Sequence, residues 1–270
     1  MMVDKSYKDK EASFLEKIAD ILMLKDKNRL VFIERFKRDN DDLNNPALAD
    51  VLSNNLLENA SKKAIPEIVL RDSLRTIFRK LEVEGCDFEG AKRDKVEIAK
   101  RWLREIVYRW YLLKNMAVST NKMGPVIPRV SRMDMWQCDS NYPGSVPLGT
   151  EIKFEVQLER PGYLTLLEKG TSGKFYCLSP SFLAPSPSFN EAGAVSLPME
   201  GAFRESFKLS GKPGVEEIIV AIAPERPKLD WLPKPEQPPL RLEGEHLQEF
   251  LAYFEGESDC TLWYMDYKVV

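Results

Sequence analysis

The stretch RPGYLTLLEKGTSGKFYCLSPS, from Arg160 to Ser181, decides the fold of the second half of this chain. Alternating runs flank a central Gly-Thr-Ser-Gly, and a proline stands near each outer end. Alternation with a period of two is typical of a half-buried strand, and a short loop with glycines is typical of a hairpin turn. The stretch therefore predicts a β-hairpin in which Gly170 and Gly173 take positive φ angles.

Further strand patterns occur on both sides of the hairpin. Ile152 to Glu159 alternates strictly between apolar and polar residues, whereas EIIVAIA, from Glu217 to Ala223, is almost continuously apolar and predicts a central strand. Three more strands are predicted at 194–198, 203–209 and 260–269. Short strands joined by Gly/Pro turns favour an antiparallel β-sandwich, which we place over residues 121–270. We expect the last strand to add to the sheet, since a free aromatic edge would promote aggregation.

The first 120 residues have a different character. Only Pro46 and Pro66 fall there, and the other 16 prolines follow. Apolar residues recur at helical spacing in several segments, the longest of which runs from Ala91 to Met116. The sequence therefore predicts an α+β protein: an all-α helical bundle over 1–120, a link at Val118–Arg129, and the sandwich.

A proline-rich segment interrupts the second half. Pro224 to Leu240 has six prolines in 17 residues, so we expect it to run extended across the surface. A late helix, Glu245–Phe254, and the closing strand follow it. This segment and the Val118–Arg129 link are the predicted sites of any regulatory cleavage.

Composition excludes several classes of protein. The 270 residues carry a net charge of −3 and no apolar run of membrane-spanning length. Because the N-terminal residues are charged and lack an apolar core segment, we do not expect them to act as a signal peptide. The four cysteines form no CxxC pair, so we expect reduced thiols in a cytoplasmic protein without a metal site or a cofactor. No Walker loop, GxSxG, HExxH or dinucleotide-binding fingerprint occurs.

The hairpin also carries a family resemblance. The Pro-Gly-Tyr-Leu start at 161–164, Gly173 in the turn, Leu-x-Pro at 178–180 and Pro-Gly at 213–214 occur in an order that resembles the bacterial domain-of-unknown-function family 4384. The resemblance covers Gly149 to Pro227. It implies an accessory domain of signalling or conflict-system proteins, typically appended to kinases or caspase-like peptidases, without established catalytic residues. Here a helical region stands where such a module would sit.

The helix from Lys92 to Lys114 is either a plain solvated face or the best candidate for a functional surface, which would bind an acidic protein partner or nucleic acid. It carries eight basic residues against Asp94, Glu97 and Glu105. Trp102, Trp110 and Tyr111 lie on its apolar face and are expected to anchor it in the bundle. The candidate partner-binding residues are on this helix, with one tryptophan from the proline-rich segment: Lys92, Arg93, Lys100, Arg101, Arg104 and Trp231.

Three functions remain open at this point. The first is a non-enzymatic adaptor or regulatory protein of a prokaryotic signalling or defence system, which binds a separately encoded peptidase or kinase. The second is a nucleic-acid-binding protein that neutralises phosphates with the basic helix 92–114. The third is a cysteine hydrolase, in which His246 would activate Cys177 or Cys260. The sequence does not predict an oligomeric state.

Overall fold

A computed structural model describes residues 4–58, 67–91, 93–128, 142–257 and 259–270. The chain divides into two compact units, which we call the helical unit (Met1–Trp102) and the sheet unit (Leu103–Val270). The division falls inside the segment that was predicted as one long helix. The α+β class, with helices first and strands after them, is confirmed.

The described part of the helical unit contains five α-helices. Their bounds are α1, Asp4–Ile21; α2, Asp26–Phe36; α3, Asn45–Glu58; α4, Glu67–Val83; and α5, Lys95–Arg101. The predicted helix Ala91–Met116 begins at Lys95 and continues beyond α5 as a π-helical segment, Trp102–Val107, and then as α6, Tyr108–Met116. The boundary between the two units thus coincides with the first residue of the π-helical segment.

Helix α4 divides apolar and basic residues between two faces. Leu70, Leu74, Ile77 and Leu81 are spaced three or four residues apart and are all buried in the core of the helical unit. Three arginines, Arg71, Arg75 and Arg79, are spaced four residues apart on the other side and are exposed. Because residues four apart lie on one face of a helix, the three guanidinium groups follow a single line.

Two β-sheets occur in the described part of the sheet unit. The strands are β1, Val118–Ser119; β2, Met123–Val126; β3, Ser145–Val146; β4, Glu151–Leu158; β5, Gly162–Lys169; β6, Phe175–Ser179; β7, Ser188–Phe189; β8, Gly193–Leu197; β9, Phe207–Lys208; β10, Gly214–Ala223; β11, Leu240–Arg241; and β12, Thr261–Val269. The larger sheet has the order β1-β12-β10-β5-β6-β11, with β3 on β12 and β7 on β5. The smaller sheet has the order β2-β4-β8, with β9 on β4.

The predicted hairpin is present as antiparallel β5 and β6, and β10 is central between β12 and β5. The prediction that the last strand joins the sheet is confirmed, since β12 pairs with β10 along nine residues. The strand predicted at 203–209 is reduced to β9. In the turn, Gly173 has φ of +77°, whereas Gly170 is not in the left-handed region, so the prediction for Gly170 was wrong.

The two faces of the larger sheet contribute to two different cores. Alternate residues of β5, β10 and β12 join residues of the smaller sheet in one core, as a sandwich requires. The other face carries α6, the late helix α7 (Gly244–Gly256) and the proline-rich segment. That segment does not merely cross the surface, because Leu229 and Leu232 are buried in this second core. Trp110 and Leu113 also belong to it, so the expectation that Trp110 anchors a helical bundle was wrong.

Within the described parts of the chain, no helix is both long and apolar enough to cross a membrane.

Candidate anion-binding site

A cavity of about 660 Å³ lies in the helical unit, and cationic side chains dominate its lining. We call it the arginine cavity. Helices α2 and α4 and the residues around the start of α5 contribute six cations to it: Arg35, Arg71, Arg75, Arg79, Arg93 and Lys95. Three acidic residues also line it: Glu82, Asp94 and Glu97. Among the described residues, the lining therefore has a formal charge of +3, from six positive and three negative groups.

Arg35 is the buried member of the set. Only 7% of Arg35 is exposed, and its Nη1 donates a hydrogen bond of 2.5 Å to the carbonyl oxygen of Leu43. Its Nε is buried without a hydrogen-bond partner among the described residues. Burial lowers the pKa of the guanidinium, and the carboxylates of Glu97 and Asp41 oppose that effect. A guanidinium remains charged in proteins, so Arg35 places a positive charge in a poorly solvated position.

The arginines of α4 form the exposed side of the cavity. Arg71 pairs with Glu67 at 2.7 Å, one turn earlier, and Arg75 lies 3.8 Å from Asp72. Exposed ion pairs of this kind contribute little and are easily exchanged. Their guanidinium groups can therefore turn toward an anion at small cost.

One wall of the cavity is apolar. Leu74, Phe78 and Val96 line it, and the Phe78 ring packs edge-on against Phe88 with centroids 5.5 Å apart. The Lys95 ammonium lies 5.0 Å from the centroid of the Phe88 ring. The arrangement combines a fixed apolar surface with several forked hydrogen-bond donors, which is the combination that binds a negatively charged group attached to an organic carrier.

The structure separates the six residues that the sequence singled out. Arg93 lines the arginine cavity, and Arg101 is exposed on α5. Lys100 is 3% exposed, and its ammonium pairs with Asp41 at 2.8 Å and with Glu97 at 3.2 Å. The charge of the Lys100 ammonium is therefore paired with these two carboxylates inside the helical unit. The position of Lys92 lies outside the described residues.

The remaining two lie in the sheet unit. Arg104 is half-buried in the π-helical segment. Trp231 is half-buried in the second core, where its ring packs against His246 and Phe250 with centroids 5.1 and 6.3 Å apart. Trp231 therefore contributes to the attachment of α7 to the proline-rich segment.

The sequence analysis missed the arginines of α4. Their signal is visible in RDSLRTIFR, where arginine recurs at every fourth residue from Arg71 to Arg79. The contribution of Arg35 had no such signal, because it depends on how α2 packs beside α4.

Cys177, His246 and Cys260 occupy positions in which they support the fold. Cys177 is buried, its Sγ lies 3.3 Å from the carbonyl oxygen of Ser179, and burial raises its pKa far above the ordinary range of a thiol. His246 is the third residue of α7, where its Nδ1 accepts a hydrogen bond of 3.0 Å from the backbone N–H of Glu243. Cys260 is half-buried, and burial raises the pKa of its thiol as well. Cys138 lies outside the described residues.

No group of three or more His, Cys, Asp or Glu side chains that could hold a metal ion occurs in the described ranges.

Comparison with known proteins locates a family in the sheet unit. No curated protein and no solved structure matches the chain. The matched part, 145–227, is under a third of the chain and runs from β3 through β10 to the start of the proline-rich segment. It includes both arms of the hairpin and the central strand, in agreement with the resemblance found in the sequence. Residues 145–227 of this chain are thus a match to the family described as a domain of unknown function, DUF4384.

Proposed function

We propose that this chain is an adaptor or regulatory protein that acts by binding, and that its arginine cavity recognises a negatively charged segment of a partner protein. The observation that carries the proposal is the set of six cations around one cavity, five of which are arginine. Arginine presents a planar fork of donors that matches carboxylate and phosphate groups, which a lysine cannot do. Part of the sheet unit resembles family 4384, whose members are typically attached to signalling modules. This resemblance supports a regulatory role.

A protein partner fits the cavity better than an extended nucleic acid. The cations surround one cavity rather than forming an extended basic track along which successive phosphates of a polynucleotide could bind. In addition, the basic helix that favoured nucleic acid does not present a continuous basic face, because Lys100 is buried in ion pairs. A short acidic segment can bind at a single concave site without an extended binding surface.

Catalysis by a cysteine is less well supported than binding. A nucleophilic cysteine requires a thiolate, and burial raises the pKa of the Cys177 thiol. The His246 Nδ1 is already used as the acceptor at the start of α7.

The test is the binding of a fluorescein-labelled peptide of ten glutamates to the full chain, measured by fluorescence anisotropy at low and physiological salt. We expect saturable binding that weakens as salt rises. Arg75→Glu combined with Arg79→Glu should abolish it. The matched control, Lys25→Glu with Lys27→Glu, makes the same change of charge at exposed positions outside the cavity and should bind as wild type does.

Equal loss of binding in both double variants would show that binding depends on net charge alone, which would contradict the proposal. Saturable binding of a single-stranded oligonucleotide of the same length, tighter than that of the peptide, would favour the nucleic-acid alternative instead.

A further inference from the structure

The arginine cavity offers more forked hydrogen-bond donors than one carboxylate can use. Five of its six cations are arginines, and the ion pairs of Arg71 with Glu67 and of Arg75 with Asp72 are exposed, so these groups can exchange their partners for an anion. A carboxylate has one negative charge and two oxygens. A phosphomonoester has a charge near −2 at neutral pH and three acceptor oxygens, so several guanidinium groups can bind it together.

The position of Arg35 strengthens the case for a phosphate. Its Nη1 is held by Leu43, and its buried Nε has no hydrogen-bond partner among the described residues. The guanidinium lines the cavity and keeps its charge, so Arg35 places a fixed positive charge beside a bound anion. The exposed arginines of α4 can close on the same anion.

The size of the cavity indicates that the phosphate arrives on a carrier. At about 660 Å³ it has far more room than an inorganic phosphate fills, and Leu74, Phe78 and Val96 supply an apolar wall. A side chain of a peptide would place its carbon atoms on that wall while its phosphate meets the arginines.

We propose that the arginine cavity binds a phosphorylated side chain of the partner protein, so that phosphorylation of the partner controls its association with this chain. The inference rests on the proposed function, because it specifies the acidic group that the same cavity recognises. Phosphorylation would then act as a switch: it adds charge and acceptors to a segment that otherwise binds weakly.

The experiment compares three labelled peptides that differ only at their central residue, which is phosphoserine, glutamate or serine. Each is titrated against the full chain by fluorescence anisotropy at one ionic strength. We expect the phosphoserine peptide to bind at least about tenfold more tightly than the glutamate peptide, which corresponds to about 1.4 kcal/mol. The serine peptide should be the weakest, and inorganic phosphate should compete with the phosphoserine peptide.

Two variants that keep the charge test the geometry. Arg35→Lys and Arg79→Lys should each reduce the preference for phosphoserine over glutamate, because lysine lacks the forked donors. Arg35 is buried, so circular dichroism melting checks that its variant is folded. Arg79 is exposed, so Arg79→Lys should remain folded and can test the geometry even if Arg35→Lys unfolds. Arg241→Lys, on the exposed β11 of the sheet unit, is the control and should retain the full preference.

The outcomes separate this inference from the proposed function. If the glutamate and phosphoserine peptides bind equally well, the inference is overturned and the proposed function stands. If no peptide binds, both are overturned. If a free nucleotide binds more tightly than the phosphoserine peptide, the cavity serves a small molecule and the inference is again overturned.

Discussion

The indole Nε1 of Trp110 donates a hydrogen bond of 2.6 Å to the Glu217 carboxylate on the central strand β10. Burial acts to raise the pKa of Glu217, but Lys169 and Lys114, together with this hydrogen bond, outweigh burial and leave the pKa below its ordinary value. The Trp110 ring also packs edge-on against Phe175, with centroids 5.1 Å apart. One side chain therefore fixes α6 to the larger sheet by both a polar and an aromatic contact.

Replacement of Trp110 by phenylalanine should destabilise the chain by about 1–3 kcal/mol. The aromatic packing largely remains, whereas the hydrogen bond to a half-buried charged acceptor is lost. Urea unfolding of Trp110→Phe, Glu217→Gln and the double variant measures the coupling between the two positions, which we expect to reach about 1 kcal/mol. Strictly additive effects would show that the hydrogen bond contributes nothing.

The hairpin glycines offer a matched pair of substitutions. A Cβ at Gly162 would lie 2.7 Å from the carbonyl oxygen of Ala223 and 3.0 Å from Cγ2 of Ile222 on β10. A Cβ at Gly170 would meet nothing closer than 3.9 Å, and its backbone is outside the left-handed region. We expect Gly162→Ala to cost about 1–3 kcal/mol and Gly170→Ala less than about 0.5 kcal/mol in urea unfolding. A neutral Gly162→Ala would mean that β5 and β10 are not in this register.

Glu168 should make stability depend on pH. Burial and the neighbouring carboxylate of Glu216 raise the pKa of Glu168 from 4.5 to about 8. The folded chain therefore keeps a proton that the unfolded chain releases, and stability falls as the pH rises from about 4.5 to about 8.

Glu168→Gln removes that titration. Its melting temperature should fall less than that of wild type between pH 5 and 8.5, and at pH 8.5 it should exceed wild type by about 2–6 °C. The exposed Glu191→Gln is the control and should follow the wild-type curve. Parallel curves for Glu168→Gln and wild type would contradict a protonated Glu168 in the folded state.

The line of arginines on α4 should cost stability when no ligand is bound. Like charges four residues apart on a helix destabilise it by about 0.2–0.5 kcal/mol per pair, and Arg75 has such a neighbour on each side. Its contact with Asp72 is exposed, so its loss matters little. Arg75→Gln should therefore be as stable as wild type or more stable in thermal melting, while its affinity for the phosphoserine peptide falls. A loss of more than about 1 kcal/mol would give Arg75 a structural role.

The strands could be read from the sequence because alternation and turn residues are local signals. The hairpin, the apolar β10 and the closing β12 follow from patterns within each segment. Which elements pack against each other was harder to predict from the sequence. Trp110 lies on an apolar helical stripe, but periodicity does not say which core that stripe contacts, and it packs on a sheet that begins later in the chain.

The candidate site was harder still to predict. Arg93 was singled out and does line the cavity, and Lys95 belongs to the basic helix, but the four arginines of α2 and α4 went unrecognised. A count of charges along one helix cannot separate Lys100, which is buried against Asp41, from Arg101, which is exposed. The cavity forms where α2, α4 and the starts of α3 and α5 come together, and no linear pattern contains that relationship.

The most direct test of the arginine cavity is an NMR titration that observes the Nε–Hε groups of the arginines in the isotope-labelled full chain. The phosphoserine peptide is the ligand. The account predicts that the signals of Arg35, Arg79 and Arg93 move together and saturate with one dissociation constant, while those of Arg29 and Arg226, which lie outside the cavity, stay in place. Small shifts of the same size at every exposed arginine, or a response confined to the sheet unit, would contradict it.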